Sequence, residues 1–228
     1  MMSSPNQKYL KGIYHIRQTK FIKKITLNEL ALYLDLSPPT VLERLKKMRS
    51  EKLVNYTRTK GISLTPAGTL AALQVVRNHR IWETFLQKVC KFSWSEVHDL
   101  AEELQKVNSE KLMDRLYQLS GSPDFDPHGD PIPDKTGLLP VLERRALSKS
   151  VEGCRCQVLG VNEDSPEFLN YLTDLQIGLD TKLQIEKIFE YDGSLLLRLK
   201  QNEKAVISPT VAERILVNCS KPNCKCKT

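Results

Sequence analysis

Leu36-Ser37-Pro38-Pro39-Thr40-Val41-Leu42-Glu43-Arg44-Leu45-Lys46-Lys47-Met48 and, a few residues on, Leu53-Val54-Asn55-Tyr56-Thr57-Arg58-Thr59-Lys60-Gly61-Ile62-Ser63-Leu64 decide the fold. Ser37 suits a helix N-cap, and prolines suit the first turn, where a missing N–H costs nothing. Val41, Leu45 and Met48 share one helical face and leave the other polar and basic. Alternation from Leu53 to Leu64 predicts two short strands around a turn. Upstream, Thr26 with Glu29 three residues later forms a capping box for a helix through Leu27, Leu30, Ala31 and Leu34 that ends near Asp35. Before it, Tyr9, Leu10, Ile13, Tyr14 and Ile16 predict a helix over Gln7 to Gln18. Helix, helix, basic helix, hairpin is the order of a winged helix-turn-helix, here residues 1–65.

Charge agrees with that order. Residues 1–60 hold thirteen Lys/Arg against four acids, +9, so with a net charge of +7 the remainder is −2. A polyanion partner follows naturally, because basic side chains that neutralise phosphates release condensed counterions. A solvated basic surface is the alternative that charge alone leaves open.

Downstream, Thr65-Pro66 opens a long helix to about Val89, and Trp94–Val107 and Ser109–Leu119 read as two more, giving a helical domain at 66–122. Gly121 to Pro140 contains five prolines and three glycines, which cannot continue a helix, so 123–146 reads as a linker. Apolar runs at 156–161, 182–185, 194–199 and 205–207, with Asp192-Gly193 as a turn and a short helix over Phe168 to Leu175, predict a small β-barrel at 147–218. A Cys/Lys tail, 219–228, follows. The fold class is mainly α with a small β domain.

No stretch approaches the ~18 apolar residues that a membrane span needs, and the start has no apolar signal region, so a cytoplasmic protein without a membrane partner is expected. The six cysteines do not read as a disulfide framework, which suits a reducing compartment. Cys154 and Cys156 read as core residues of the barrel. Cys219, Cys224 and Cys226 read as incidental or as soft-metal thiolates. No nucleophile, paired catalytic acid or phosphate-cradling loop stands out, so no enzyme is expected.

His79 and Glu83 are four residues apart and share a helix face, as do His98 and Glu102 on the next helix. Antiparallel packing would bring these groups together as ligands for Mn, Fe, Co, Ni or Zn. Charged pairs that merely support surface helices are the other reading.

Several segments resemble the diphtheria-toxin-repressor and manganese-transport-regulator family of metal-dependent repressors. They are Tyr9–Tyr14, Leu36–Val41, Lys60–Gly68, Asn78–Leu86, Trp94–Glu102 and Pro127–Pro133. The C-terminal part resembles the family's SH3-like (FeoA-like) domain. The resemblance implies a helical metal-binding and dimerisation domain at 66–122 and a homodimer on double-stranded DNA with a palindromic operator. Ser37, Pro39, Thr40 and Glu43 would lie near bases and phosphates, with Arg44, Lys47, Arg58 and Lys60 as basic contacts. Glu43 departs from the glutamine familiar there, and a carboxylate prefers a cytosine amino group.

The ancillary metal site implied by the resemblance is His79, Glu83 and His98, with Asp164 and Glu167 added from the SH3-like domain. The cofactor implied is Mn²⁺ or Fe²⁺, and the output is repression of metal-uptake genes. The primary site is altered, with Lys8, Lys11, Gln105 and Lys106 at its matching positions and Glu102 as its one strong ligand. One expectation is that Lys8 or Lys106 pairs with Glu102 and replaces the ion, giving a regulator that no longer needs metal. A metal-storage or interaction protein that keeps the fold is a further rival, against which the basic bias of residues 1–60 speaks.

Overall fold

The computed structural model describes residues 4–20, 24–107 and 109–219. Helices α1 (Ser4–Lys20), α2 (Leu27–Leu34) and α3 (Pro38–Ser50) precede strands β1 (Val54–Thr57) and β2 (Gly61–Leu64). Leu10, Ile13 and Ile16 of α1, Leu30 and Leu34 of α2, and Val41, Leu45 and Met48 of α3 form one core. Both arms of the Thr26–Glu29 capping box are made, and Ser37 accepts a hydrogen bond from the Thr40 N–H. Each cap is worth about 1 kcal/mol. β1 and β2 pair antiparallel from Val54↔Leu64 to Thr57↔Gly61, and Ile25 adds a bridge to Ile62.

Thr65 caps α4 (Pro66–Lys88), whose 23 residues span about 35 Å. Its Ala72 enters the first core, Ile81 packs with α6 (Glu110–Leu119), and Leu86 packs with α5 (Val97–Leu104). One rigid rod therefore joins the DNA-binding unit to the helices beyond it. Helix α5 starts later than the sequence suggests, because the Glu96 carboxylate accepts from the backbone N–H and hydroxyl of Ser93 and holds a turn there. Trp94 is thereby turned onto the β domain: it joins that domain's core, and its indole N–H donates to Thr173 Oγ1 at 2.8 Å.

The proline-rich segment is not a free tether. Asp126 Oδ1 accepts from the backbone N–H groups of His128 and Asp130, a local turn that the side chain closes. Guanidinium groups then hold its carbonyls: Arg77 that of Pro133, Arg80 that of Pro131 and Arg144 that of Gly129. These contacts supply the hydrogen bonds that a proline-rich chain cannot make within itself.

In the C-terminal part, β3 (Arg145–Ala146), β4 (Arg155–Val161), β5 (Lys182–Ile188), β6 (Leu195–Arg198), β7 (Lys204–Ile207) and β8 (Ile215–Cys219) form an antiparallel sheet in the order β3-β8-β4-β5-β6-β7. Leu147, Val158, Ile185, Leu197, Ile207 and Val217 build its core with α7 (Pro166–Asp174) and α8 (Pro209–Arg214). Helix α8, which the apolar pattern does not announce, is capped by Ser208 and opens with Pro209. Cys154 and Cys156 are buried in this core, as the sequence suggests, but Cys154 is also disulfide-bonded, which the sequence does not announce. Antiparallel pairing of β4 with β8 sets Cys156 opposite Cys219 in backbone register. The rest of the tail lies outside the described residues.

Candidate metal centre and DNA-binding face

Glu83, buried in the C-terminal part of α4, is the centre of the cluster. Its Oε1 lies 3.0 Å from His79 Nε2, 3.1 Å from His98 Nδ1 and 3.9 Å from His128 Nδ1. The i, i+4 spacing brings His79 to it along α4, and packing of α5 brings His98. His128 arrives from the proline-rich segment together with Asp126, and Glu83, Asp126 and His128 form a second group of ligand atoms sharing Glu83 with the first. Asp164, in the loop after β4, reaches within 3.6 Å of His98 Nδ1. Glu167 is exposed in the first turn of α7 and makes no ion pair with the cluster.

Close backbone approach positions His128. Its carbonyl accepts from the Val161 N–H at 2.9 Å, and Gly129, at φ +85°, lies against β4 where an added Cβ would stand 2.1 Å from the Leu159 carbonyl oxygen. Gly160 faces it, also without room for a side chain, since a Cβ there would stand 2.6 Å from the His128 carbonyl oxygen. Two glycines thus let the segment lie directly on the strand. The His128 Nε2–H donates to the Trp94 carbonyl at 2.9 Å, so Nδ1, which faces Glu83, is the nitrogen whose lone pair the neutral ring offers to a cation. A backbone carbonyl fixing the far nitrogen of an imidazole is the usual support for a metal-binding histidine.

The electrostatics are those of a cation site. Burial alone would raise the Glu83 carboxyl, but His79, then His98 and His128, outweigh it and hold it well below the usual carboxylate range. Burial lowers His79. Hydrogen bonding to Glu83 raises His98. Burial, with Asp130 and Glu83 adding repulsion, pushes Asp126 up to about 7. Although His79 Nε2 is close to Glu83, it is out of hydrogen-bond alignment, so this buried nitrogen has no hydrogen-bond partner among the described residues. Leaving such an atom unsatisfied costs about 1–3 kcal/mol, a penalty that a coordinated cation removes. Imidazole and carboxylate donors without thiolate fit a divalent first-row transition ion.

Glu102 lies at the edge of this group, its Oε2 3.7 Å from His79 Nδ1, and carries a cation of its own. The cation on it is Lys11, whose Nζ is 2.6 Å from Oε2, and not Lys8 or Lys106 as the sequence suggested. Lys8 donates to the Leu34 carbonyl at the end of α2, and Lys106 lies exposed beyond the end of α5. Lys11, three residues after Lys8 on α1, is the lysine that faces α5. Gln105 is buried and donates to the Glu102 carbonyl. Sequence reasoning missed Asp126, His128 and the role of Lys11. The available signal was Asp126-Pro127-His128-Gly129-Asp130, a turn motif carrying a histidine inside a segment read as a linker.

In the N-terminal unit, Ser37, Pro39, Thr40, Glu43 and Lys47 are exposed on the outer face and first turn of α3, with Arg44 half-buried beside them. Arg58 and Lys60 are exposed at the tip of the β1–β2 hairpin, where Thr57 Oγ1 accepts from the Lys60 N–H. No helix among the described residues is long and apolar enough to cross a membrane.

Comparison with known proteins accounts for these parts in chain order. The description "Iron dependent repressor, N-terminal DNA binding domain" matches residues 1–62, "Iron dependent repressor, metal binding and dimerisation domain" matches 65–134, and "FeoA domain" matches 145–219. The iron-dependent repressor IdeR of Mycobacterium leprae is 31% identical over 220 residues, covering 92% of this chain and 86% of that protein. Other curated relatives are matched over less of their length: 54% of the IdeR of Mycobacterium tuberculosis, at 32% identity, and 16% of a probable metal transport system membrane protein of Chlamydia trachomatis, at 42%. A solved manganese-dependent transcriptional repressor in complex with manganese superposes with a TM-score of 0.83 at 32% identity, over 94% of this chain and 99% of that one. The chain therefore belongs to the iron-dependent repressor family, the diphtheria-toxin-repressor and manganese-transport-regulator group of metal-dependent DNA-binding repressors.

Proposed function

We propose that the protein is a cytoplasmic, metal-dependent transcriptional repressor without catalytic activity, acting as a homodimer on a palindromic operator of metal-uptake genes. The observation that carries this reading is the convergence of His79, His98 and His128 on the buried Glu83 carboxylate, at the junction of the helical unit and the β domain. Family membership supports the DNA and dimer parts, and half-sites about one DNA turn apart suit two recognition helices related by a two-fold axis. In the bases' groove, Ser37, Pro39, Thr40 and Glu43 would approach base edges, while Arg44, Lys47, Arg58 and Lys60 would neutralise phosphates.

Glu83, His79, His98 and Asp126 with His128 would hold the ion, with Asp164 reaching in from the β domain. A bound divalent cation supplies positive charge at the point where these lone pairs converge. Mn²⁺ and Fe²⁺ are the ions favoured by nitrogen and oxygen donors and by the names of the relatives. The chain's own residues do the coupling: Glu83 and His79 belong to α4, which also carries part of the core of the DNA-binding unit. Binding would shift the population toward whichever arrangement of α4, α5, the proline-rich segment and the β domain presents these ligands together. Lys11 supports a reading in which a single ion is needed per chain, because an ammonium already neutralises Glu102.

The test is binding of purified protein to a DNA fragment from its own upstream region, with Mn²⁺ or Fe²⁺ and then with excess chelator. The reading expects a complex with metal that dissociates on chelation. No complex under either condition overturns it.

A further inference from the structure

Glu43 stands out on the face that the proposed function turns toward DNA. The buried stripe of α3 is Val41, Leu45 and Met48. At 3.6 residues per turn, Glu43 lies about 180° from its centre, in the middle of the outward face. Pro39 is one turn before it, and Lys46, Lys47 and Ser50 follow, all exposed. Spacing from Glu43 to Lys47 is the favourable i, i+4 order for an ion pair, yet no such pair forms. Among the described residues the Glu43 carboxylate accepts no hydrogen bond. An unpaired acid therefore sits beside basic residues that follow it, on the face with the strongest need for positive charge.

A carboxylate can only accept hydrogen bonds, and phosphates repel it. Within the major groove the donors are the N4 amino group of cytosine and the N6 amino group of adenine. On adenine the donor adjoins the N7 acceptor, whose lone pair opposes a second carboxylate oxygen. On cytosine no acceptor of the same base adjoins it in the groove. Resting on the proposed function, we infer that Glu43 is a specificity-determining residue that selects cytosine at one position of each operator half-site by accepting a hydrogen bond from its N4 amino group. Lys46 and Lys47 on the following turn offset the repulsion by the flanking phosphates.

The test is selection of binding sites from a random-sequence duplex by the full chain with Mn²⁺ or Fe²⁺, at one fixed salt concentration because affinity depends steeply on salt. Wild type, Glu43→Gln and Glu43→Ala are compared, and thermal melting confirms that these exposed substitutions leave the fold intact. Wild type is expected to select cytosine at one half-site position, with replacement of that C·G pair by A·T weakening binding about tenfold. Glu43→Gln is expected to move the preference at that position to adenine and leave the others unchanged, since an amide pairs with adenine N6 and N7. If both variants tighten binding to all sequences alike and select the wild-type motif, Glu43 is only an electrostatic brake and the inference is overturned. If wild type selects no sequence at all, the proposed function itself fails and this inference falls with it.

Discussion

Lys11 Nζ lies 2.6 Å from Glu102 Oε2 and 3.3 Å from His79 Nδ1, so one ammonium joins α1 of the DNA-binding unit to α4 and α5 of the metal-binding unit. Burial alone would raise the Glu102 carboxyl, but Lys11 outweighs it and holds the group below its ordinary value. Glu102 is 40% exposed, so the pair is partly screened and its coupling should be about 1 kcal/mol. A double-mutant cycle of Lys11→Met and Glu102→Gln, read by urea unfolding of the metal-free protein, checks this. Additive effects would show that the contact is incidental.

His128 belongs to the segment that sequence alone assigns to a linker, yet it faces Glu83. His128→Ala is expected to lower Mn²⁺ affinity at least about tenfold, as loss of a ligand or its support does. Glu167→Gln, which changes an exposed residue outside the cluster, is expected to leave affinity within about twofold. Calorimetric titration of both variants separates the two, and equal losses would return Glu167 to the site.

Metal binding should release protons. Asp126 is pushed up to about 7 by burial and neighbouring carboxylates, and hydrogen bonding to Glu83 raises His98. Raised groups hold their protons as pH falls below their folded values, so metal must displace them and affinity should rise from pH 6 to pH 8. The slope is about tenfold per pH unit for each proton displaced. Titration in two buffers of different ionisation enthalpy counts the protons, and a pH-independent affinity would exclude both residues as ligands.

Gly129 has a positive φ of +85° and no room for a Cβ beside the Leu159 carbonyl. Gly129→Ala should destabilise the protein by about 2–4 kcal/mol and weaken metal binding by withdrawing His128. Thermal melting with and without Mn²⁺ tests this: a variant with unchanged melting would mean that the segment does not need to lie on β4.

The fold was legible wherever information was local. Thr26, Ser37 and Thr65 announce the starts of α2, α3 and α4, and the buried stripe Val41, Leu45 and Met48 orients α3. His79, Glu83 and His98 were legible for the same reason, since helical spacing and antiparallel packing bring them together. Asp126 and His128 were not, because their place depends on Gly129 meeting Gly160 across the two domains, a contact without a local pattern. Which lysine meets Glu102 depends on how α1 crosses α5, and that angle is set by the whole core. The disulfide of Cys154 escaped likewise, because cysteine pairing depends on tertiary contacts that no local pattern encodes.

The central claim is that the Glu83 cluster makes DNA binding depend on metal. Its most direct test is fluorescence anisotropy of a labelled upstream DNA fragment, titrated with Mn²⁺ in the presence of wild type or Glu83→Gln. Wild type should bind progressively as Mn²⁺ is added and release the DNA on chelation, while Glu83→Gln stays weak at every concentration. Wild-type binding of equal strength with Mn²⁺ and with excess chelator would contradict the account.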